Sequence, residues 1–164
     1  MAAKKRALKA VAVPKVVVIN LGEVDFDIKK KWPLKNDSVD ELTAINLLQT
    51  LWPVDRIHFV NEIGRVLKPD GKCQIQVPHW ASNRAYADID VAWPPVSEGW
   101  LFFLSKAWRE ANVPKESRYT CDLAVTWGYS LHPNIATRNQ EYQQHAVTFW
   151  KEAAQDLCAT LIKS

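Results

Sequence analysis

PVDRIHFVNEIGRVLKPDGKCQIQVP, residues 53–78, changes period in its middle. Val54, Ile57, Val60, Ile63 and Leu67 recur at spacings of three and four, the repeat that lines one face of an α-helix. Pro53 opens the run, where a missing N–H costs nothing, and Pro69 and Gly71 close it. From Lys72 the period becomes two: Ile75 and Val77 alternate with Gln74 and Gln76, and Pro78 ends the segment. An amphipathic helix, a tight turn and a strand follow one another, as they do in an α/β sheet.

The segments on either side extend that reading. Upstream, Asn36, Asp37 and Ser38 form a turn ahead of a strand over Val39 to Leu47. Val16 to Asn20, short and β-branched between Pro14 and Gly22, reads as a fully buried strand of the parallel type. Downstream come a loop rich in aromatic and polar residues, a helix over Ser97 to Asn112 and a strand over Tyr119 to Tyr129. A helix over Gln140 to Gln155 and a last strand over Leu157 to Ile162, antiparallel to its predecessor, complete the series. Alternation of this kind predicts an α/β sheet with helices on its faces.

At 164 residues, 48% of them hydrophobic, the chain is long enough to bury one core and is expected to form one domain over 16–164, behind a basic, flexible leader over 1–15. A net charge of +3 does not by itself indicate a nucleic-acid partner. The apolar runs fall far short of the roughly 18 residues that a membrane span needs. Cys73, Cys121 and Cys158 lie far apart in apolar, alternating segments; they are expected as buried thiols, which favours a reducing, cytoplasmic compartment. The eight tryptophans are expected mostly as packing anchors.

NDSVDELTAINLLQTL followed by FVNEIGRVLKPDGKCQIQVP resembles the class I S-adenosylmethionine-dependent methyltransferases, and the resemblance runs from about Asp25 to Lys163. PHWASNRAYADIDVAWPPVSEGW, farther on, looks like one branch of that family found in phage and bacterial genomes. The resemblance implies a Rossmann-like fold with a truncated, mostly parallel sheet and a C-terminal antiparallel strand. In INLGEVDFDI, residues 19–28, INLG resembles the first strand and the opening of the glycine motif, while EVDFDI resembles the end of the third strand. About thirty residues of the family pattern, with the remaining glycines, are thus missing between them.

Carried over by resemblance, Gly22 and Asp27 are what remains of the site for S-adenosylmethionine, whose binding is expected to be weak or lost. His79, Trp80 and Asp88 are expected to line the substrate cleft. Gln49 and Thr50 stand where the family usually has a Glu-His pair, and Ile89, Asp90 and Val91 replace the family residues that follow the aspartate now at Asp88. The expected protein is a degenerate methyltransferase, inactive by itself, that binds a macromolecular partner. Alternatives are an active enzyme whose cofactor site a partner chain completes, and a phage structural or accessory protein, located in the host cytoplasm or the virion. Removing two strands would leave Val16 to Asn20 as an open edge beside the strand at Val39, so a homo-oligomer or another protein is expected to pair there.

Overall fold

The computed structural model describes residues 16–114 and 117–164, so the expected leader over 1–15 lies outside the described residues. Five strands form one sheet in the order β1-β2-β3-β5-β4: β1 (Val18–Asn20), β2 (Val39–Ile45), β3 (Leu67–Pro78), β4 (Leu123–Leu131) and β5 (Ala154–Lys163). β1 pairs parallel to β2 and β2 to β3, whereas β5 runs antiparallel to both β3 and β4. Four strands therefore point one way and only β5 is reversed, as the sequence led us to expect.

Helix α1 (Pro53–Val66) connects β2 to β3, with Pro53 at its first turn. Its buried face carries Phe59, Val60, Ile63 and Val66 along with Arg56 and Glu62, while Val54 is exposed. The real stripe is thus rotated from the one expected, because two charged residues on this face are fully hydrogen-bonded and can be buried. Arg56 donates to the carbonyls of Leu48, Ala92 and Pro94. Glu62 accepts from Arg65 and from the Trp32 N–H, which fixes the segment after β1 against the helix.

The expected helix over Ser97 to Asn112 is divided into α2 (Glu98–Leu101), a 3-10 turn at Phe102–Leu104 and α3 (Lys106–Asn112). The break falls at Ser105, whose side chain accepts from the Trp108 N–H and starts the new helix. A short α4 (Pro133–Ala136) and α5 (Gln140–Phe149) follow β4. α5 stops at Phe149, six residues before the expected end, so that Ala154 can begin β5.

One core, including Leu42, Phe59, Ile63, Leu104, Leu123 and Leu161, fills the space between the sheet and α1 to α3. On the sheet's other face Glu41, Lys72, Gln74 and Thr126 are exposed, in the alternation read from the sequence. The expectation of helices on both faces is therefore corrected: this face is open among the described residues. For the same reason β1 is not the fully buried strand expected, and Val16 and Val18 are each 59% exposed. Cys158, which also faces the open side, is only partly buried, unlike Cys73 and Cys121. Among the tryptophans Trp32 is fully buried, but Trp52, Trp80, Trp93, Trp127 and Trp150 are exposed, a further correction.

Candidate functional site

In an open α/β sheet, ligands bind at the carboxyl ends of the parallel strands, because the loops that leave those ends diverge into a crevice. Four segments leave that end here, and those after β1, β2 and β3 carry the residues named from the sequence. After β1 the chain turns at Asn20, whose side-chain Oδ1 accepts the Gly22 N–H at 3.1 Å and whose carbonyl accepts the Glu23 N–H at 3.1 Å. The backbone donors that a phosphate-binding or nucleoside-binding turn would present outward are thus spent inside the turn. No helix follows before β2, so no helix N-terminus faces this end of β1.

Asp27, five residues on, accepts the Lys29 N–H at 3.0 Å and lies 3.4 Å from Lys30 Nζ. The Lys29 N–H, together with Lys30, holds its carboxyl below the ordinary value. Gly22 and Asp27 accordingly sit in two separate local turns.

After β2, Asn46 takes a left-handed conformation with φ 51° and donates its N–H to the Gln76 carbonyl at 2.9 Å. This bend leads to the 3-10 turn over Leu48–Thr50. A cavity of about 230 Å³ lies between that turn and the loop after β3, lined by Asn46, Gln49, Thr50, Arg84, Asp88 and Asp90 among others. Gln49 Oε1 is buried with no hydrogen-bond partner. Asp88 is exposed at the rim and accepts the Asp90 N–H at 3.1 Å. Arg84 is tied to Asp156 of β5 at 2.6 Å.

After β3, His79 is buried between two partners. Its Nδ1 accepts the Ala81 N–H at 3.2 Å, which leaves the ring proton on Nε2, 2.8 Å from Glu98 Oε1. The Trp80 indole N–H donates to Glu98 Oε2 at 3.1 Å. Burial would raise the Glu98 carboxyl, but hydrogen bonds from His79, from the backbone and from Tyr129 outweigh it and hold the group at about 2. Burial, followed by the hydrogen bond to Glu98, pushes Tyr129 up to about 12.

His79 and Trp80 are therefore joined through Glu98, whereas Asp88 stands apart at the cavity rim. Glu98 and Tyr129 were missed at the level of sequence. Glu98 is one acidic residue at the start of a helix, and its partners lie 19 and 31 positions away, too far for any periodic signal. Among the described residues no group of histidines, cysteines and carboxylates could hold a metal ion.

A family model described as a methyltransferase domain matches residues 2–75. Among solved structures, the chain resembles a SAM-dependent methyltransferase from Archaeoglobus fulgidus, at 13% identity over 85% of this chain and 66% of that one, with a TM-score of 0.59. It also resembles an S-adenosylmethionine-dependent methyltransferase from Mesorhizobium loti, at 12% identity over 84% and 67%, with a TM-score of 0.51. A further match, at 16% identity over 84% and 59% with a TM-score of 0.52, is to the complex between the Haloferax volcanii Trm112 methyltransferase activator and a methyltransferase. The chain thus spans 66% of the Archaeoglobus protein and 59% of the Haloferax one. No curated protein matches the sequence. At these identities the likeness establishes the fold, which is the Rossmann-like methyltransferase fold, and the chain is methyltransferase-like in that sense.

Proposed function

We propose that this methyltransferase-like chain does not transfer methyl groups by itself and acts by pairing with another protein chain, a second copy or a different protein, through β1. The observation that carries the reading is the turn after β1. Methyl transfer by in-line displacement depends on a held donor. Here the Gly22 and Glu23 N–H groups are consumed by Asn20, and the Asp27 carboxylate is consumed by Lys29 and Lys30. The cavity after β2, about 230 Å³ and lined by none of these residues, is below the ~300–1,000 Å³ common for ligand pockets. These residues do not fit a cradle for S-adenosylmethionine.

Pairing through β1 is supported by its place at the edge of the sheet among the described residues. Val17 accepts from the N–H groups of Asp40 and Glu41, and Leu21 donates to Thr43. By alternation the backbone groups of Val18 point away from β2, toward an edge that is unpaired among the described residues. An exposed, β-branched edge with free backbone groups is a template for another strand.

Calorimetry with S-adenosylmethionine tests the first half of the proposal. Losing two or three charge-assisted hydrogen bonds, at about 1.5–3 kcal/mol each, lowers affinity by several powers of ten. No saturable heat is expected below about millimolar ligand, and tight stoichiometric binding would overturn the reading. For the second half, light scattering on the full chain is compared with a Val18→Pro variant, which removes an outward N–H without touching the pairing to β2. An assembly that dissociates in the variant is expected. A monomer in both cases defeats the pairing through a second copy, and pull-down with Val18→Pro as the control then tests a different protein.

A second reading is that the partner completes the cofactor site. The buried, unpartnered Gln49 Oε1 at the cavity favours it, since such an atom is satisfied if a docked chain brings a donor. Binding of S-adenosylmethionine to the assembly but not to the dissociated Val18→Pro chain distinguishes this reading from the first.

A further inference from the structure

Beside the cavity over β2, and separated from it by the loop after β3, lies a second cavity of about 340 Å³, within the size range of small-molecule sites. Its walls include Trp80, Tyr86, Phe149 and Trp150, which are 48%, 50%, 70% and 43% exposed. Large aromatic rings left in water carry a free-energy cost, and a contiguous group of them marks an interaction site.

Hydrogen bonds and ring contacts hold three of these walls, Trp80, Tyr86 and Trp150. The Trp80 indole is hydrogen-bonded to Glu98, and the Tyr86 hydroxyl donates to the Trp80 carbonyl at 2.9 Å. The Trp150 ring packs edge-on against Tyr142, with centroids 5.3 Å apart, and against His145 at 5.9 Å. These three walls are therefore set before any ligand arrives, which lowers the ordering cost of binding.

The other lining groups narrow the chemistry. Among the described residues Lys151 is the one charged lining residue, and Thr148 adds a hydroxyl. Two carboxylates next to lining residues are not themselves in the lining: Glu98 accepts from His79 and Trp80, and Glu152 accepts from the Asn83 N–H and from Gln155. Among the described residues the lining itself holds the Lys151 ammonium and no carboxylate, so at the wall a cationic group meets like charge and an anionic group its opposite. A sugar would find few groups for its hydroxyls. A flat ring can stack on the aromatic walls, and an anionic substituent on that ring can meet the Lys151 ammonium.

We propose that the cavity walled by Trp80, Tyr86, Phe149 and Trp150 binds a flat aromatic ring bearing an anionic group, with Lys151 as the partner of the anion. Such a ligand can be a nucleoside monophosphate or a small aryl carboxylate. Binding here is independent of the reading of the β1 edge and of any methyl donor.

The test is calorimetry on the full chain with adenosine 5′-monophosphate, adenosine, ribose 5-phosphate and 4-hydroxybenzoate. Saturable binding is expected for at least one of the two aromatic anions, and which one binds identifies the source. Ribose 5-phosphate, which lacks the flat ring, is expected not to bind, and adenosine is expected to bind several-fold more weakly than its monophosphate if the nucleotide is the ligand. Trp150→Ala should weaken binding about tenfold or more, and Lys151→Ala about two- to fivefold, with the melting temperature of each variant confirming the fold. Phe149→Ala, at the most exposed wall position, gives a second reading of stacking if Trp150→Ala unfolds. Absence of heat with both aromatic anions, or equal affinity in wild type and both wall variants, would overturn the proposal. So would an assembly that Trp150→Ala disperses while no ring binds, since the walls would then belong to an interface between copies.

Discussion

On the side of the sheet that meets α1 to α3, Leu42, Cys73, Ile75, Val77, Leu123 and Leu161 are buried. One residue along the same strands, Glu41, Lys72, Gln74 and Thr126 are exposed on the other side. Parallel strands are almost always covered on both faces, so β1, β2 and β3 carry an arrangement more usual for antiparallel sheets. The difference teaches that burial in this chain follows which crossover helices are present. The polar residues in the middle of the open face are consistent with contact with water, while Val18 and Ile45 add apolar surface toward the β1 edge.

The covered face should be the more costly one to disturb. Phe59→Ala should lower stability by about 3–5 kcal/mol in chemical denaturation, because the ring is fully buried and packs edge-on against Trp32. A loss below about 0.5 kcal/mol, the size of an ordinary surface effect, would mean that α1 does not cover this face. Gly64→Ala should cost about 1–3 kcal/mol, since an added Cβ would stand 2.8 Å from Cys121 Cβ and force the strand entry away from α1.

Acid offers a way to probe the rim where the two faces meet. Glu98 is held at about 2 in the folded chain, below its ordinary 4.5. The stability it contributes is therefore complete above about pH 4.5 and is lost as pH falls from there toward 2. A Glu98→Gln variant should lose stability at neutral pH and show a shallower decline across this window. Equal pH slopes in the two proteins would remove Glu98 from the acid response.

The smallest effects are expected on the open face, where Gln74→Ala should change stability by less than about 0.5 kcal/mol. Cys158 should be the first thiol to react with an alkylating reagent, as Cys73 and Cys121 are buried and burial raises both thiols, Cys121 to about 11. If all three thiols prove equally protected, the open face is covered in solution, and the contrast between the faces ends at the assembled state.

The strand at Lys72 to Pro78 and the helix ahead of it were legible because each carries a period of its own, and the reversal of the last strand followed from the family resemblance. The buried side of α1 was not, because Arg56 and Glu62 are placed inward by hydrogen bonds to carbonyls and N–H groups remote in sequence. Of the candidate site, His79 and Trp80 could be singled out from their place after a strand. Their union through Glu98 could not, since that carboxylate comes from a different element.

By itself the sequence determined the order and type of most elements, the direction of β5 and the place of β1 beside β2. Hydrophobic period and turn residues are local quantities, and the family pattern supplies the topology that joins them. The tertiary structure alone decided which sheet face lies bare and which tryptophans stand in water. It alone placed the donors after β1 in a turn that uses them up. Those outcomes depend on which distant groups meet, and a hydrogen bond or a packed ring between remote residues leaves no period in the chain.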